Sequence, residues 1–260
     1  MKLIAFLCVY NDPEYLDAAI ESYKNFPDRL YLIEGAWESS LRFGVDPRSN
    51  ELTESILRKH VDGERVVLVR ANEATEVAQR QIGLELAKRE GADWCMMLDA
   101  DEVYTSPVLT VIRRILELAL SHPEVFGFRM NSYNFINSFQ KYYDGNYPRI
   151  SRVTPGARFV YANDVAWLDH GKECWGPHII NMPKELRFFH YNYIKKDPEA
   201  FFLKMNFLGS ENPTFNVSER QKYGFDAYGY RIPSDIQIKD FTGEHPEIIR
   251  NHPAMKHGLS

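Results

Sequence analysis

The chain has 260 residues, 44% hydrophobic and 26% charged, a balance that supports a packed core and excludes a fibrous or disordered chain. The formal net charge is −5 and no run of Lys or Arg makes a nucleic-acid footprint, so a polyanion partner is not expected. Cys8, Cys95 and Cys174 have neither metal nor redox spacing, and no apolar run reaches the length of a membrane span, which together point to a cytoplasmic protein.

Met1 to Val9 opens like a signal peptide, but Asn11, Asp12 and Glu14 cut the apolar run short, and a first strand explains it better. Leu3 to Tyr10 is a continuous apolar run of strand length, as expected of a strand buried on both faces. Asn11-Asp12-Pro13 stops it and starts a helix to about Phe26, with Asp12 as N-cap and Pro13 in the first turn. Arg29 to Glu34 reads as a second strand, 35–50 as a polar loop, 51–61 as a short helix and Glu64 to Arg70 as a third strand. Glu73 to Glu90 is an amphipathic helix with Val77, Ile82, Leu84, Leu86 and Ala87 on its apolar side, ended by Gly91. Trp94 to Leu98 is a fourth buried strand that runs into Asp99-Ala100-Asp101-Glu102.

Strand and helix alternating in this way predict an α/β layer fold with a mostly parallel sheet, whose ligands bind at the carboxyl ends of the strands. Tyr10-Asn11-Asp12, Glu34 to Trp37, Ala71 to Glu73 and Asp99 to Glu102 should share that edge. Past a helix at about 107–120 the pattern changes. Val125 to Tyr133, Arg149 to Val153 and Arg158 to Tyr161 alternate and read as antiparallel or mixed strands. Pro198 to Leu208 reads as a helix, and the last fifty residues resist assignment. Aromatics make up 13% of the chain, and many fall in this second half, where core packing is their ordinary use.

The acidic turn carries the chemistry. Two carboxylates one residue apart, at the end of a buried strand, suit a hard divalent cation that also binds substrate phosphates. Asp99 or Asp101 could instead merely cap the following helix, and a bare Asp-x-Asp is common. Its place after an apolar strand in a βα array favours the metal.

The first 105 or so residues resemble a family 2 type glycosyltransferase with the GT-A fold. The matching pieces are Cys8-Val9-Tyr10-Asn11-Asp12, Glu34 where Asp is commoner, Val77-Ala78-Gln79-Arg80-Gln81-Ile82-Gly83 with Gln81 where Asn is usual, and Leu98-Asp99-Ala100-Asp101-Glu102. The segment Arg187 to Lys195 is similar to the His-Tyr segment of such enzymes, and Gly243-Glu244-His245-Pro246 to a later one. The resemblance implies an α/β/α sandwich with a small antiparallel addition, one domain over 1–260, with a nucleotide-sugar half (1–105) and an acceptor half (106–260). It implies Mn²⁺ or Mg²⁺ held by Asp99, Asp101 and His190, and a nucleotide-sugar donor, UDP-sugar first, met by Tyr10, Glu34, Arg80, Asp99 and Ala100. It further implies a saccharide or another hydroxyl compound as acceptor, and transfer with inversion.

Each residue also has a plainer reading. Arg80 on a helix face is ordinarily a surface ion pair, Glu34 a solvated loop carboxylate, and His190, between Phe189 and Tyr191, a core histidine. His170, His178 and His245 keep that reading. The catalytic base is not fixed by any motif: Asp164 and Asp169 are the candidates, with Trp167 and Trp175 beside them able to stack on a sugar. Two rivals remain. A haloacid-dehalogenase-type phosphatase would use Asp99 as nucleophile, and a non-catalytic relative would bind nucleotide or carbohydrate without turnover. A sugar nucleotidyltransferase fits less well, since the first turn lacks a Gly-rich phosphate loop.

Overall fold

Strand β1 (Leu3–Val9) is apolar throughout because both its faces are covered. Leu3, Ala5, Leu7 and Val9 pack on one side, while Ile4 and Phe6 pack on the other. The same alternation runs through β4 (Trp94–Leu98), with Trp94, Met96 and Leu98 on the first side and Cys95 and Met97 on the second. A computed structural model describes residues 1–41, 44–160, 165–169, 172–174, 178–194, 225–226, 229–230 and 236–256. The expected helix at Pro198 to Leu208 and the candidate base Asp164 lie outside the described residues.

Between these strands come α1 (Leu16–Tyr23), β2 (Arg29–Glu34), α2 (Glu38–Leu41), α3 (Glu51–His60), β3 (Val66–Arg70) and α4 (Glu76–Arg89). After β4 follow β5 (Glu102–Val103), α5 (Ser106–Ala119), β6 (Gly127–Ile136), β7 (Lys141–Arg152), β8 (Arg158–Phe159), β9 (Val165–Asp169), β10 (Lys172–Cys174), β11 (Ile179–Asn181) and β12 (Arg187–Tyr193). The pieces β13 (Phe225–Asp226), β14 (Gly229–Tyr230), β15 (Lys239–Asp240), α6 (Glu247–Arg250) and α7 (Pro253–Lys256) complete the order.

The main sheet runs β3-β2-β1-β4-β7-β6-β12-β5. Its first four strands are all parallel, β7 is antiparallel to both β4 and β6, and β12 is parallel to β6. Leu16, Ile20, Leu57, Leu109, Ile112 and Leu116 bring α1, α3 and α5 onto one face, and Leu84 and Ala87 bring α4 onto the other. The expected three-layer α/β fold is what forms. Strand order reverses between β1 and β4, so the crevice at their carboxyl ends is a topological switch point, where sheets of this kind bind ligands.

Most element limits agree with the sequence pattern to within a few residues. Asn50 caps α3 by accepting from the Thr53 amide (3.0 Å), Thr75 caps α4 by accepting from the Ala78 amide (3.2 Å), and Gly91 ends α4 with a φ of +63°. The expected loop at 35–50 contains the short helix α2, and two further elements differ. The first helix begins at Leu16, and Asp12 is buried rather than capping it. The cause is Asn11, which takes a φ of 47°, donates its amide to Ser49 Oγ (3.0 Å) and accepts from the Asn50 amide (2.7 Å). That tether carries the chain toward the start of α3 before a helix can form. Strand β7 begins eight residues before Arg149, because Tyr142 to Pro148 pair with β6, and Lys141 with β15, over a stretch that shows no apolar alternation.

Candidate active site

Strand β4 delivers Asp99 at the switch point, and the turn that follows is tied by the Glu102 amide to the Asp99 carbonyl (3.2 Å). The chain then forms β5, which pairs antiparallel with β12 so that Glu102 stands opposite His190. The Tyr191 amide also donates to the Asp101 carbonyl (3.0 Å). The buried side chains of Asp101 and His190 come together beside this ladder, with His190 Nε2 3.2 Å from Asp101 Oδ1.

The other ring nitrogen of His190 faces Asn134 Oδ1 at 2.9 Å. That oxygen also accepts from Ser132 Oγ (3.0 Å), while Asn134 Nδ2 donates to the Tyr147 hydroxyl (3.1 Å). With Asn134 Oδ1 as acceptor a proton sits on Nδ1, and Nε2 meets the Asp101 carboxylate through a second proton or a cation. Two electron-rich atoms at that distance repel unless a positive charge lies between them. Burial lowers the proton affinity of His190, but the Asp101 carboxylate outweighs it and shifts the pKa upward.

Asp99 is held differently. Its Oδ2 accepts from Arg149 Nη2 (2.7 Å) and its Oδ1 from Arg80 Nη2 (3.2 Å), with 26% of its side-chain surface open. Burial alone would raise its pKa, but the two guanidinium charges prevail and lower it. Arg80 is buried on α4 and also pairs with Glu76 (2.5 Å). Arg149 is buried too, and its Nε donates to Glu102 Oε1 (2.9 Å). Glu102 is fully buried, accepts from the Tyr104 hydroxyl (3.0 Å), and has its pKa raised by burial despite Arg149.

The remaining candidates sit as follows. Tyr10 is on the same edge, with its hydroxyl donating to the Asp46 carbonyl (2.8 Å). Glu34 is buried at the end of β2, where Oε1 accepts from the Ser49 amide (2.7 Å) and Oε2 pairs with Arg70 and, at 3.5 Å, with Arg48. In this state Glu34 anchors the 35–50 loop. Ala100 is buried in the turn. Asp169 is described as the last residue of β9, in a three-stranded sheet with β8 and β10. His245 is a core residue: its Nε2 faces the Phe139 carbonyl (2.8 Å) and its Nδ1 the Tyr191 hydroxyl (2.9 Å).

Among the described residues no group of three or more His, Cys, Asp or Glu is arranged to hold a metal ion. The Asp101–His190 pair nevertheless fits two ligands of one. Two octahedral ligands about 2.1 Å from an ion and at right angles stand about 3 Å apart. His190 offers a lone pair with its other nitrogen anchored, which is the usual arrangement of a ligating histidine. Two protein ligands leave positions for substrate oxygens.

Sequence reading missed Arg149 and Asn134. Asn134 had a signal: Phe128, Met130, Ser132 and Asn134 alternate toward the buried face of β6, and two polar residues on a buried face call for a function. Arg149 had a fainter one, a charge inside an alternating strand.

No family model and no curated protein matches the chain. Among solved structures it is similar to S. aureus TarS residues 1–349, at 13% identity and a TM-score of 0.44 over 85% of this chain and 69% of that one. Against the UDP complex of that protein the match narrows to 52% of this chain and 37% of that one. It is also similar to the mannosyltransferase PcManGT from Pyrobaculum calidifontis in complex with GDP-Man and Mn²⁺, at 11% identity and a TM-score of 0.45, over 80% of this chain and 61% of that one. A CMP:2-keto-3-deoxy-manno-octonic acid synthetase complexed with CTP matches at 10% identity and a TM-score of 0.33, over 58% of this chain and 74% of that one. Scores and identities this low fix neither a family nor a chemistry, and what stands on its own geometry is an α/β protein with a carboxylate, histidine and arginine cluster at its switch point.

Proposed function

We propose that the chain is a metal-dependent glycosyltransferase of GT-A type that moves a sugar from a nucleotide-sugar donor, UDP-sugar first, to a hydroxyl acceptor with inversion. The carrying observation is the Asp101–His190 pair at the carboxyl edge of the parallel sheet, with the other His190 nitrogen facing Asn134 Oδ1. In this reading Asp101 and His190 hold Mn²⁺ or Mg²⁺, and the cation stabilises the leaving diphosphate. Arg80 and Arg149 keep Asp99 ionised as an acceptor for donor hydroxyls or cation-bound water. The Tyr10 ring stands at the cleft edge for the donor base. Glu34 takes a base N–H once a ligand draws Arg48 away from it. A carboxylate on the acceptor side, Asp164 or Asp169, takes the acceptor hydroxyl's proton as its oxygen attacks the anomeric carbon. Residues 1–105 serve the donor and 106–260 the acceptor, within one domain.

The phosphatase reading is disfavoured on chemical grounds. A nucleophilic Asp99 needs a carboxylate oxygen directed at phosphorus, and both of its oxygens are engaged by guanidiniums. Among the described residues, no helix is long and apolar enough to cross a membrane.

The test has two arms. Thermal unfolding should shift upward with a nucleoside diphosphate (UDP, GDP, CDP or dTDP) and more so with Mn²⁺, since a ligand that binds only the native state raises the midpoint. No response to any of them would remove the donor. Asp101→Asn should abolish transfer while keeping the wild-type circular dichroism, and His190→Ala should weaken metal dependence less severely. Wild-type transfer that survives exhaustive chelation would remove the metal, and release of pyrophosphate in place of sugar transfer would mark a nucleotidyltransferase.

A further inference from the structure

Arg149 does more than help to keep Asp99 ionised, because it joins both ends of the acidic turn. It arrives on β7, whose register with β4 puts Ile150 opposite Met96. One planar guanidinium therefore reaches both ends of the acidic turn, Asp99 Oδ2 through Nη2 (2.7 Å) and Glu102 Oε1 through Nε (2.9 Å). It lies against two neighbouring aromatic rings, with Cζ 5.1 Å from the Tyr147 centroid and 5.8 Å from that of Phe188. Tyr147 is itself the hydroxyl acceptor of Asn134, which orients His190. The carboxylates at the two ends of the turn are thus drawn toward β7, and Asp101 between them faces the histidine.

We propose that Arg149 is a positioning residue that keeps Asp99 out of the cation's ligand set, so that the site offers the cation Asp101 and His190 and depends on a nucleotide diphosphate for the rest. This rests on the metal-dependent reading above. A cation with two protein ligands binds weakly alone and strongly with the diphosphate, and each ligand must strengthen the other by the same factor. A third protein ligand would loosen that dependence, because added ligand charge tightens a cation site by itself. Arg149 thereby makes the cation arrive with the donor.

Arg149→Lys tests the sign. Lysine keeps the charge but is a point donor that cannot hold two carboxylates in a fixed fork. Asp99 Oδ2 is then released toward the cation, while Oδ1 keeps its contact with Arg80. Mn²⁺ titrated alone, followed by its electron paramagnetic resonance signal, should bind about tenfold more tightly to Arg149→Lys than to wild type, the lower end of what outer ligand partners do to metal affinity. The strengthening of Mn²⁺ binding by UDP should shrink by a similar factor, and kcat should fall more than the donor KM rises. The double variant Arg149→Lys with Asp99→Asn should lose the gain. A merely structural lesion would weaken both affinities.

If Arg149→Lys keeps the wild-type circular dichroism and binds Mn²⁺ alone no more tightly than wild type, the inference is wrong. If Arg149→Lys does not fold, Asp99→Asn alone decides. Mn²⁺ affinity in the absence of nucleotide that stays within about threefold of wild type supports the proposal, and a fall of tenfold or more makes Asp99 a ligand already and overturns it. A wild-type protein that binds neither Mn²⁺ nor any nucleotide defeats the metal-dependent reading itself, which is a different result.

Discussion

Gly83→Ala is a small change with a sign that the structure determines. Gly83 lies one turn after Arg80 on α4, on the face packed against β1. A Cβ built there would stand 2.2 Å from Phe6 Cγ and 2.4 and 2.6 Å from its two Cδ atoms. These are not the tip of a flexible side chain. Phe6 is buried, its Cγ is close to its own backbone, and its ring packs edge-on against Phe159 at 5.9 Å. On an exposed helix, Gly→Ala would stabilise by about 1 kcal/mol through helix propensity. Forcing a methyl into a filled core costs about 1–3 kcal/mol. The closeness of three ring atoms places this site at the upper end, so the net expectation is destabilisation by about 1–2 kcal/mol. For a domain of this size that lowers the thermal midpoint by roughly 2–4 °C per kcal/mol. Urea unfolding at unchanged m-value is the assay, because it separates lost stability from a changed denatured state. The same displacement moves α4 away from the sheet and lengthens the 3.2 Å contact from Arg80 to Asp99, so donor binding should weaken together with stability. Adding Phe6→Leu should relieve the clash and recover part of both. A Gly83→Ala variant as stable as wild type, or more stable, would refute the claim that helix-to-sheet contact requires glycine here.

Asn134→Ala removes the acceptor of His190 Nδ1, which should cost about 1–3 kcal/mol for the stranded buried donor and weaken Mn²⁺ binding in the presence of UDP about 10–100-fold. Calorimetric titration reads the second, and unchanged affinity would show that Asn134 does not set the tautomer. Stability should fall as pH drops through the ordinary carboxylate range. Glu54 is held below its usual pKa by hydrogen bonds from Arg70, and Glu90 by those from Lys2 and Tyr31 and by the charge of Arg29. A carboxyl whose folded pKa is depressed adds stability above its unfolded pKa, near 4.5, and loses it as pH falls through the folded value. Urea midpoints from pH 7 to 3 should therefore decline, and Glu54→Gln with Glu90→Gln should flatten the decline. An equally steep limb in that variant would assign it to other groups.

How much of this was legible depended on whether a property is local. Strand β4 was readable to the residue, because Trp94 to Leu98 is apolar on both faces and ends at the first carboxylate. The common edge of Tyr10, Glu34 and Asp99 was readable too, since parallel strands joined by helices leave no other choice. The engagements of Glu34 were not. It looked like a loop carboxylate facing water, and only folding brings Arg70 and the Ser49 amide onto it. The second half was harder because β6, β7 and β12 mix parallel and antiparallel pairing, and a polar buried face hides the period of two. Tyr147-Pro148-Arg149 carries no sign that its guanidinium will span Asp99 and Glu102, because that follows from register with β4 across fifty residues of chain.

The same distinction explains why the acidic turn alone was weak evidence. Asp-x-Asp fixes which carboxylates are near one another, and leaves open where each one points. In this chain the three acids of the turn have three different sets of partners. Asp99 has Arg149 and Arg80, Glu102 has Arg149 and Tyr104, and Asp101 has His190. Asp99 and Glu102 are matched by permanent cations, whereas the histidine facing Asp101 carries a charge only when both of its nitrogens are protonated. A buried carboxylate facing a lone pair is costly, and the cost is removed by a cation as well as by a proton. In the proposed reading, an ion at Asp101 is drawn by the histidine beside it at least as much as by the motif.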